Sequence, residues 1–391
     1  MPVVRCDPQV TAAGSATLCD GLAAQSPHRI AFVDASGSLT FSQLLNQASQ
    51  LAAHLNENGV GPSDHVLVRG DRGIASAVAI HAVLMAGAGF VAVPAALPAT
   101  AVHALNRQAA ITTVLGETDA DMDAIRSSPV MWQLNYREFL RALPLSCPYS
   151  EPAYPVLASQ PATVVFPAGG SRGIVFTHAA LLATLRDAAR RFGIGATDRV
   201  LGTAPMGAAQ ALADLFLPAL TGCTALLHAV PDSGATIWHG AAADLVSDVA
   251  APWPATLRLC LASAPGLAPT LPASALQALP SVPFAVLGTL PEIAIWATCR
   301  AADDTDATLL AGARAVTAAA PEDDAICLAS PALAQEYIND AAASAAAFVQ
   351  QPDGARALRC APRARLRPDG ALELPAPRID AVPDIRQLEP I

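Results

Sequence analysis

Between Arg72 and Arg107 the chain carries no Asp, Glu, Lys or Arg, and the run IASAVAIHAVLMAGAGFVAVPAAL (74–97) is almost wholly apolar. Sequence this poor in charge has to be hidden from water, in a bilayer or in a protein core. Gly87, Gly89 and Pro94 cut it into pieces shorter than the ~20 residues that a spanning helix needs. The run therefore predicts a buried helix over Ile74–Ala86 turning into a buried strand, FVAVP. A helix and a strand that are both apolar all round need cover on every side, which points to layers of helices and parallel sheet.

The same alternation continues along the chain. Ala31–Phe41 reads as a β-hairpin with a Ser-Gly turn. SQLLNQASQLAAHLNENGV follows, with Leu44, Leu45, Ala48, Leu51, Ala52 and Leu55 at helical spacing and Gly59 as a stop. HVLVRG, TTVLG, CLAS (Cys260–Ser263) and FAVLG (Phe284–Gly288) read as strands, and His178–Phe192 as a helix. Residues 143–163 hold five prolines and read as a connecting loop. ATVVFPAGGSRGIVFTH predicts a strand, a glycine turn and a second strand. From Asp324 the texture becomes β-rich, with AICLAS, a helix-like AAASAAAFV and an Asp-Gly turn at Asp369-Gly370.

Composition removes several chemistries. The formal net charge is −10, and all 23 basic residues are arginine. With no basic stripe there is no footprint for nucleic acid. With no lysine there is no Schiff base and no Walker-type phosphate lysine. The eight cysteines are scattered without a C-x-x-C pair, and read as reduced, mostly buried apolar side chains. The N-terminus lacks the apolar stretch of a signal peptide, so the expected location is the cytoplasm, with no membrane partner. Asp119-x-Asp121-x-Asp123 resembles a Ca²⁺ loop but lacks its glycine and its twelfth acid, and reads as a solvated turn. Asp303, Asp304 and Asp306 read as a solvated loop. His178 is expected to be a hydrogen-bonded structural histidine.

Five ordered segments resemble the adenylate-forming (ANL) superfamily, and within it the amino-acid adenylation domains of nonribosomal peptide synthetases. They are SLTFSQLLNQASQLAAHL (Ser38–Leu55), LMAGAGFVAVP (Leu84–Pro94), PEIAIWATC (Pro291–Cys299), SPALAQEYIND (Ser330–Asp340) and LRPDGALELPAPRID (Leu366–Asp380). The resemblance implies an α/β fold: two sheet-and-helix subdomains, 1–160 and 161–320, and a small β-barrel-like subdomain, 321–391, ending at a hinge. It also implies ATP and Mg²⁺ as cofactors, an acyl adenylate as product, and condensation and carrier-protein domains as partners. An accessory protein bound to the core is a further possibility that the resemblance brings.

The chain departs from that family where its chemistry sits. The phosphate loop falls on Phe166–Ile174, FPAGGSRGI, about three residues short and with its hydroxyls largely gone. Gly169, Gly170, Ser171 and Gly173 remain, Arg172 stands at the lysine position, and Pro167 has no N–H to offer. The aspartate that grips the substrate ammonium becomes Ala209, and an ammonium without its counter-ion costs ~3–5 kcal/mol. The G-G-E beside the adenine becomes Ser263, Ala264 and Pro265. Y-G-P-T-E is reduced to GTLPE, Gly288–Glu292, in which Glu292 keeps the Mg²⁺-associated position. The ribose-gripping aspartate becomes Pro362, whereas Arg378 and the hinge-like Asp380 are retained. The family's lid, with its lysine, is expected to be absent after Ile391. Losing one preorganised donor typically costs ~10²–10³ in rate, and here several go together. The expectation is a pseudo-adenylation core with a scaffold or docking role, needing no cofactor and holding no metal. Two other readings stay open: an active ligase for an unusual acid with its lid elsewhere, and a small-molecule-binding module without turnover.

Overall fold

The computed structural model describes residues 17–123, 132–144, 146–167, 172–228, 234–245, 253–267, 282–301, 308–312, 314–317, 326–359, 365–366 and 372–373. Among them, one seven-stranded sheet runs in the order Glu336–Tyr337, Ile174–Thr177, Pro161–Val165, Gly89–Val93, His65–Arg69, Thr113–Gly116, Trp132–Asn135. Its last five strands are parallel. A nine-stranded sheet runs Thr308–Leu309, Thr298–Ala301, Phe284–Thr289, Leu259–Pro265, Ile237–Ala241, Arg199–Gly202, Thr224–Leu226, Ile30–Asp34, Gly37–Thr40. Its six central strands are parallel. The hairpin Ile30–Thr40 thus completes a sheet whose other strands come from beyond residue 198, and Glu336–Tyr337 crosses back to the other sheet.

Two helices lie between the sheets, and both are almost wholly apolar and buried. Helix Ile74–Met85 buries all ten residues from Ser76 to Met85, and helix Ala211–Thr221 buries all eleven. A helix without a polar face has to be covered all round. Here Phe216 meets Phe90 of one sheet at 6.2 Å, and His81 meets Phe32 of the other at 6.0 Å. One continuous apolar core results, joining Val66, Val68 and Phe90 to Phe32, Ala225 and Leu261. The charge-free run therefore forms the predicted helix and strand, Ile74–Met85 and Gly89–Val93. Among the described residues no helix is long and apolar enough to cross a membrane.

Local chemistry sets the ends of the elements. Helix Phe41–Glu57 starts on a capping box: Gln43 N donates to Thr40 Oγ1 at 3.3 Å, and Thr40 N to Gln43 Oε1 at 2.9 Å. Helix His178–Phe192 stops at Gly193, whose φ of 57° is the left-handed cap that glycine adopts without strain. The helix-like stretch near residue 341 is divided into helix Ala341–Ala347 and strand Phe348–Gln350. This strand joins a small antiparallel sheet with Arg356–Arg359, Ile326–Ala329 and Arg314–Thr317.

One expectation is corrected. Asp119–Asp123 is a short helix and not a solvated turn, because Asp121 turns inward and is buried. It takes Arg69 Nε at 3.2 Å and the Thr118 hydroxyl at 2.7 Å, an ion pair that local sequence does not reveal. The acidic cluster at Asp303–Asp306 and the turn at Asp369-Gly370 lie outside the described residues.

His81 and His178 are both buried. His178 Nδ1 accepts from Leu18 N at 3.2 Å, as suits a structural histidine, and His81 Nδ1 is paired with Ala77 O at 2.8 Å. Burial pushes each imidazole down to about 4. Unfolded histidine titrates near ~6.5, so as pH falls the unfolded chain takes up these protons first. The stability held above that value should decline as pH drops toward about 4. Each histidine contributes a slope of up to ~1.4 kcal/mol per pH unit. Urea unfolding between about pH 6 and pH 5 should show this slope, and His81→Leu should reduce it by about one proton. Equal slopes in the two proteins would refute the assignment.

Candidate functional site

The candidate residues lie near the carboxyl ends of parallel strands, where open α/β sheets place their ligands. Strand Pro161–Val165 runs on through Phe166 and Pro167, and Arg172 and Gly173 lead into strand Ile174–Thr177. Gly169, Gly170 and Ser171 lie outside the described residues, as do Pro362, Arg378 and Asp380. Gly173 is packed so closely that an added Cβ would sit 2.7 Å from the Phe166 ring and 2.8 Å from Ile338 Cγ2. Its carbonyl accepts from Ile338 N at 2.8 Å. The position is fixed by a neighbouring backbone, and only glycine fits.

Arg172 and Glu292, far apart in sequence, come together here through two residues that sequence reading missed. Arg172 Nε donates to Asp340 Oδ2 at 2.9 Å, and the guanidinium lies over the Tyr337 ring, 5.7 Å from its centroid. Tyr337 Oη donates to Glu292 Oε1 at 2.6 Å. Burial, and then this bond to a carboxylate, push the Tyr337 phenol well above its ordinary range. The backbone N–H of Ala343, and then Arg172, hold the Asp340 carboxyl below its usual value. Both partners lie in SPALAQEYIND, a segment that sequence reading used for family resemblance alone. The strand Glu336–Tyr337 pairs with Ile174 and Val175, and this pairing carries Tyr337 to the turn.

Ser263, Ala264 and Pro265 lie directly beside Leu287, Gly288 and Thr289 on the parallel neighbour. The Ser263 hydroxyl is buried and accepts from the indole Nε1 of Trp296 at 2.9 Å. Trp296 is fully buried and meets His239 edge-on, with ring centroids 5.1 Å apart. Gly288 abuts Thr298 Oγ1 and the Gly266 carbonyl so tightly that a Cβ has no room. Ala209 lies two residues before helix Ala211–Thr221, half-buried and packed on the apolar core, so no carboxylate stands at this position.

A carboxylate does stand five residues on. Asp214 has no exposed surface, yet it takes Arg72 Nη2 at 2.9 Å and His239 Nδ1 at 3.1 Å. Arg72 also donates to the carbonyls of Leu227 at 2.8 Å and Ala204 at 3.0 Å. Burial pushes the Asp214 carboxyl up, but the charge of Arg72 and then of His239 outweigh it and hold it below its usual range. A single acid inside ALADLFLPALT was the sequence signal for this pairing. Among the described residues no three His, Cys, Asp or Glu side chains converge to hold a metal ion.

The sequence model of AMP-binding enzymes matches residues 20–323. The anguibactin system regulator of Vibrio anguillarum is 26% identical over 293 residues, covering 69% of this chain and 27% of that protein. Pyochelin synthetase PchF of Pseudomonas aeruginosa is 26% identical over 416 residues, covering 95% of this chain and 22% of that protein. Among solved structures, the crystal structure of the nonribosomal peptide synthetase FmoA3 superposes with a TM-score of 0.78 at 25% identity. That match covers 94% of this chain and 43% of FmoA3. The chain thus spans between about a quarter and less than half of the length of these relatives.

Removing the guanidinium at Arg72 leaves the Asp214 charge buried beside a single histidine. Arg72→Met should cost ~3–5 kcal/mol, and adding Asp214→Leu should recover much of it, since apolar pairs often replace buried ion pairs at little cost. Chemical denaturation of the two variants checks this. An Arg72→Met protein within about 1 kcal/mol of the parent would contradict a structural role for the pair.

Proposed function

Because the chain belongs to the AMP-binding enzyme family, we propose that it is an adenylation-type core of a peptide synthetase that has given up ATP-dependent acid activation. The observation that carries this reading is the engagement of the surviving candidates with one another and with the scaffold. One oxygen of Glu292 holds the Tyr337 hydroxyl, Arg172 is tied to Asp340, and the Ser263 hydroxyl holds the Trp296 indole. ATP and Mg²⁺, which the family uses, do not fit this set. The magnesium-associated glutamate is drawn to a tyrosine, the lysine position is occupied by a paired arginine, and Ala209 offers no grip on an ammonium. No catalytic step is assigned to these residues.

A framework role is left to the chain. Two of these relatives, PchF and FmoA3, are named as synthetases and are far longer than this chain, which supports a place beside condensation or carrier-protein domains in a cytoplasmic assembly line. An accessory protein seated on the core fits the same picture. The three-part division at residues 160 and 320 is kept as the proposed organisation.

Pyrophosphate exchange tests the reading directly. With ATP, Mg²⁺ and a panel of amino, aryl and aliphatic acids, exchange should stay below about one-thousandth of that of an intact adenylating enzyme. Tyr337→Phe, which frees Glu292, and Ala209→Asp should not restore it. Acid-dependent exchange by the unmodified chain would overturn the proposal in favour of an active ligase. Failure of neighbouring condensation or carrier domains to associate with the chain would overturn the docking role separately.

A further inference from the structure

The carboxyl ends of the strands frame a second cavity of about 580 Å³, within the ~300–1,000 Å³ usual for small-molecule sites. Of the candidate-site residues, Arg72 alone lines it. Asp34 and His228 bring the nine-stranded sheet to one wall, Glu117 brings the seven-stranded sheet to another, and helix Tyr136–Ala142 closes a side.

The charges in this cavity divide into committed and free. Asp34 Oδ1 takes the Ser36 N–H at 2.7 Å and its hydroxyl at 2.6 Å, while Oδ2 takes Ile74 N at 2.8 Å. Glu117 Oε2 takes Asp71 N at 2.7 Å, and Oε1 lies 3.2 Å from Arg137 Nη1. Arg72 is committed to Asp214 and two carbonyls. Arg141, by contrast, is exposed and has neither an ion pair nor a hydrogen bond among the described residues. Arg137 uses a single nitrogen on Glu117. The other uncommitted charge is Asp71, which is exposed. The apolar part of the lining comes from Ile74, Val78 and Leu140.

We propose that this cavity is a binding site for a small organic carboxylate with an apolar body, its carboxylate held by Arg141 and Arg137 and its body resting on Ile74, Val78 and Leu140. Guanidinium forks pair bidentately with carboxylates, and Asp34 and Glu117 are already satisfied by their own donors. A free Asp71 also leaves a place for an ammonium, so an amino acid and the corresponding simple acid share the chemistry that is recognised. The site is independent of whether the chain activates acids, and exchange and binding assays fail separately.

Calorimetric titration of the full chain with 4-methylpentanoate, leucine and the neutral 4-methylpentanamide tests the proposal. Saturable binding of the carboxylate at or below about 1 mM is expected, with none for the amide. Arg141→Ala should weaken it by at least about tenfold while leaving the thermal melt unchanged. If leucine binds more tightly, Asp71→Asn should remove the difference, and equal affinities assign recognition to the carboxylate alone. Amide hydrogen exchange should slow at residues 71–78 and 136–141 on binding. Equal binding of acid and amide, affinity unchanged in Arg141→Ala, protection confined to other segments, or no binding by either acid would each overturn the site.

Discussion

Asp214 carries its charge with no surface in water, on a helix that is buried on every side and wedged between two sheets. Its partners come from both. Arg72 follows a strand of the seven-stranded sheet, and His239 lies within a strand of the nine-stranded one. The guanidinium reaches on to Leu227 and Ala204, so one side chain holds strand ends that are more than 130 residues away in sequence. Apolar packing has no fixed register and lets layers slide. A buried carboxylate gripped by Arg72 and His239 does not, since separating them leaves an uncompensated ion in a low-dielectric interior. Gly202 completes the arrangement: a Cβ there would collide with the Asp214 carboxylate and with Arg72.

The same logic runs through the turn at Arg172. Glu292, Tyr337, Arg172 and Asp340 partner one another there: half-buried Tyr337 and Glu292 share a hydrogen bond, and the exposed Arg172 pairs with Asp340 at the surface. Together with the backbone bonds of Gly173 and Val175 they hold the edge strand Glu336–Tyr337 against the sheet. Under the proposed function these side chains stabilise a scaffold, and a position that no longer meets nucleotide is retained as a contact between segments.

Much of this architecture could be read from sequence. The charge-free run, the spacing of leucines from Leu44 to Leu55 and the two apolar strands flanking residues 168–171 all record local requirements, and each produced the element expected. Sheet membership was not legible, because nothing near Ile30 reports that Thr224–Leu226 will lie beside it. Asp121 was misread for a related reason: its partner Arg69 is 52 residues away, and a short acidic stretch looks solvated until that partner is known. At the candidate site, Ala209, Ser263 and Glu292 could be named from sequence, but the side chains that Ser263 and Glu292 touch could not. Tyr337 and Trp296 are ordinary residues in sequence and acquire meaning only through the groups they touch.

Arg258 illustrates a property of a chain whose side-chain cations are all guanidinium. It grips Asp198 through Nε at 2.7 Å and Nη2 at 2.8 Å and also reaches the Gly193 carbonyl at 2.9 Å. Guanidinium groups as a class stay protonated where an ammonium would lose its proton, and the seams at Asp198 and Asp121 each rest on one. Amine-directed cross-linkers and acylating reagents likewise find no side-chain nucleophile of the usual kind. Mapping of surfaces in any larger assembly that contains this chain therefore has to rely on carboxylate- or arginine-selective chemistry.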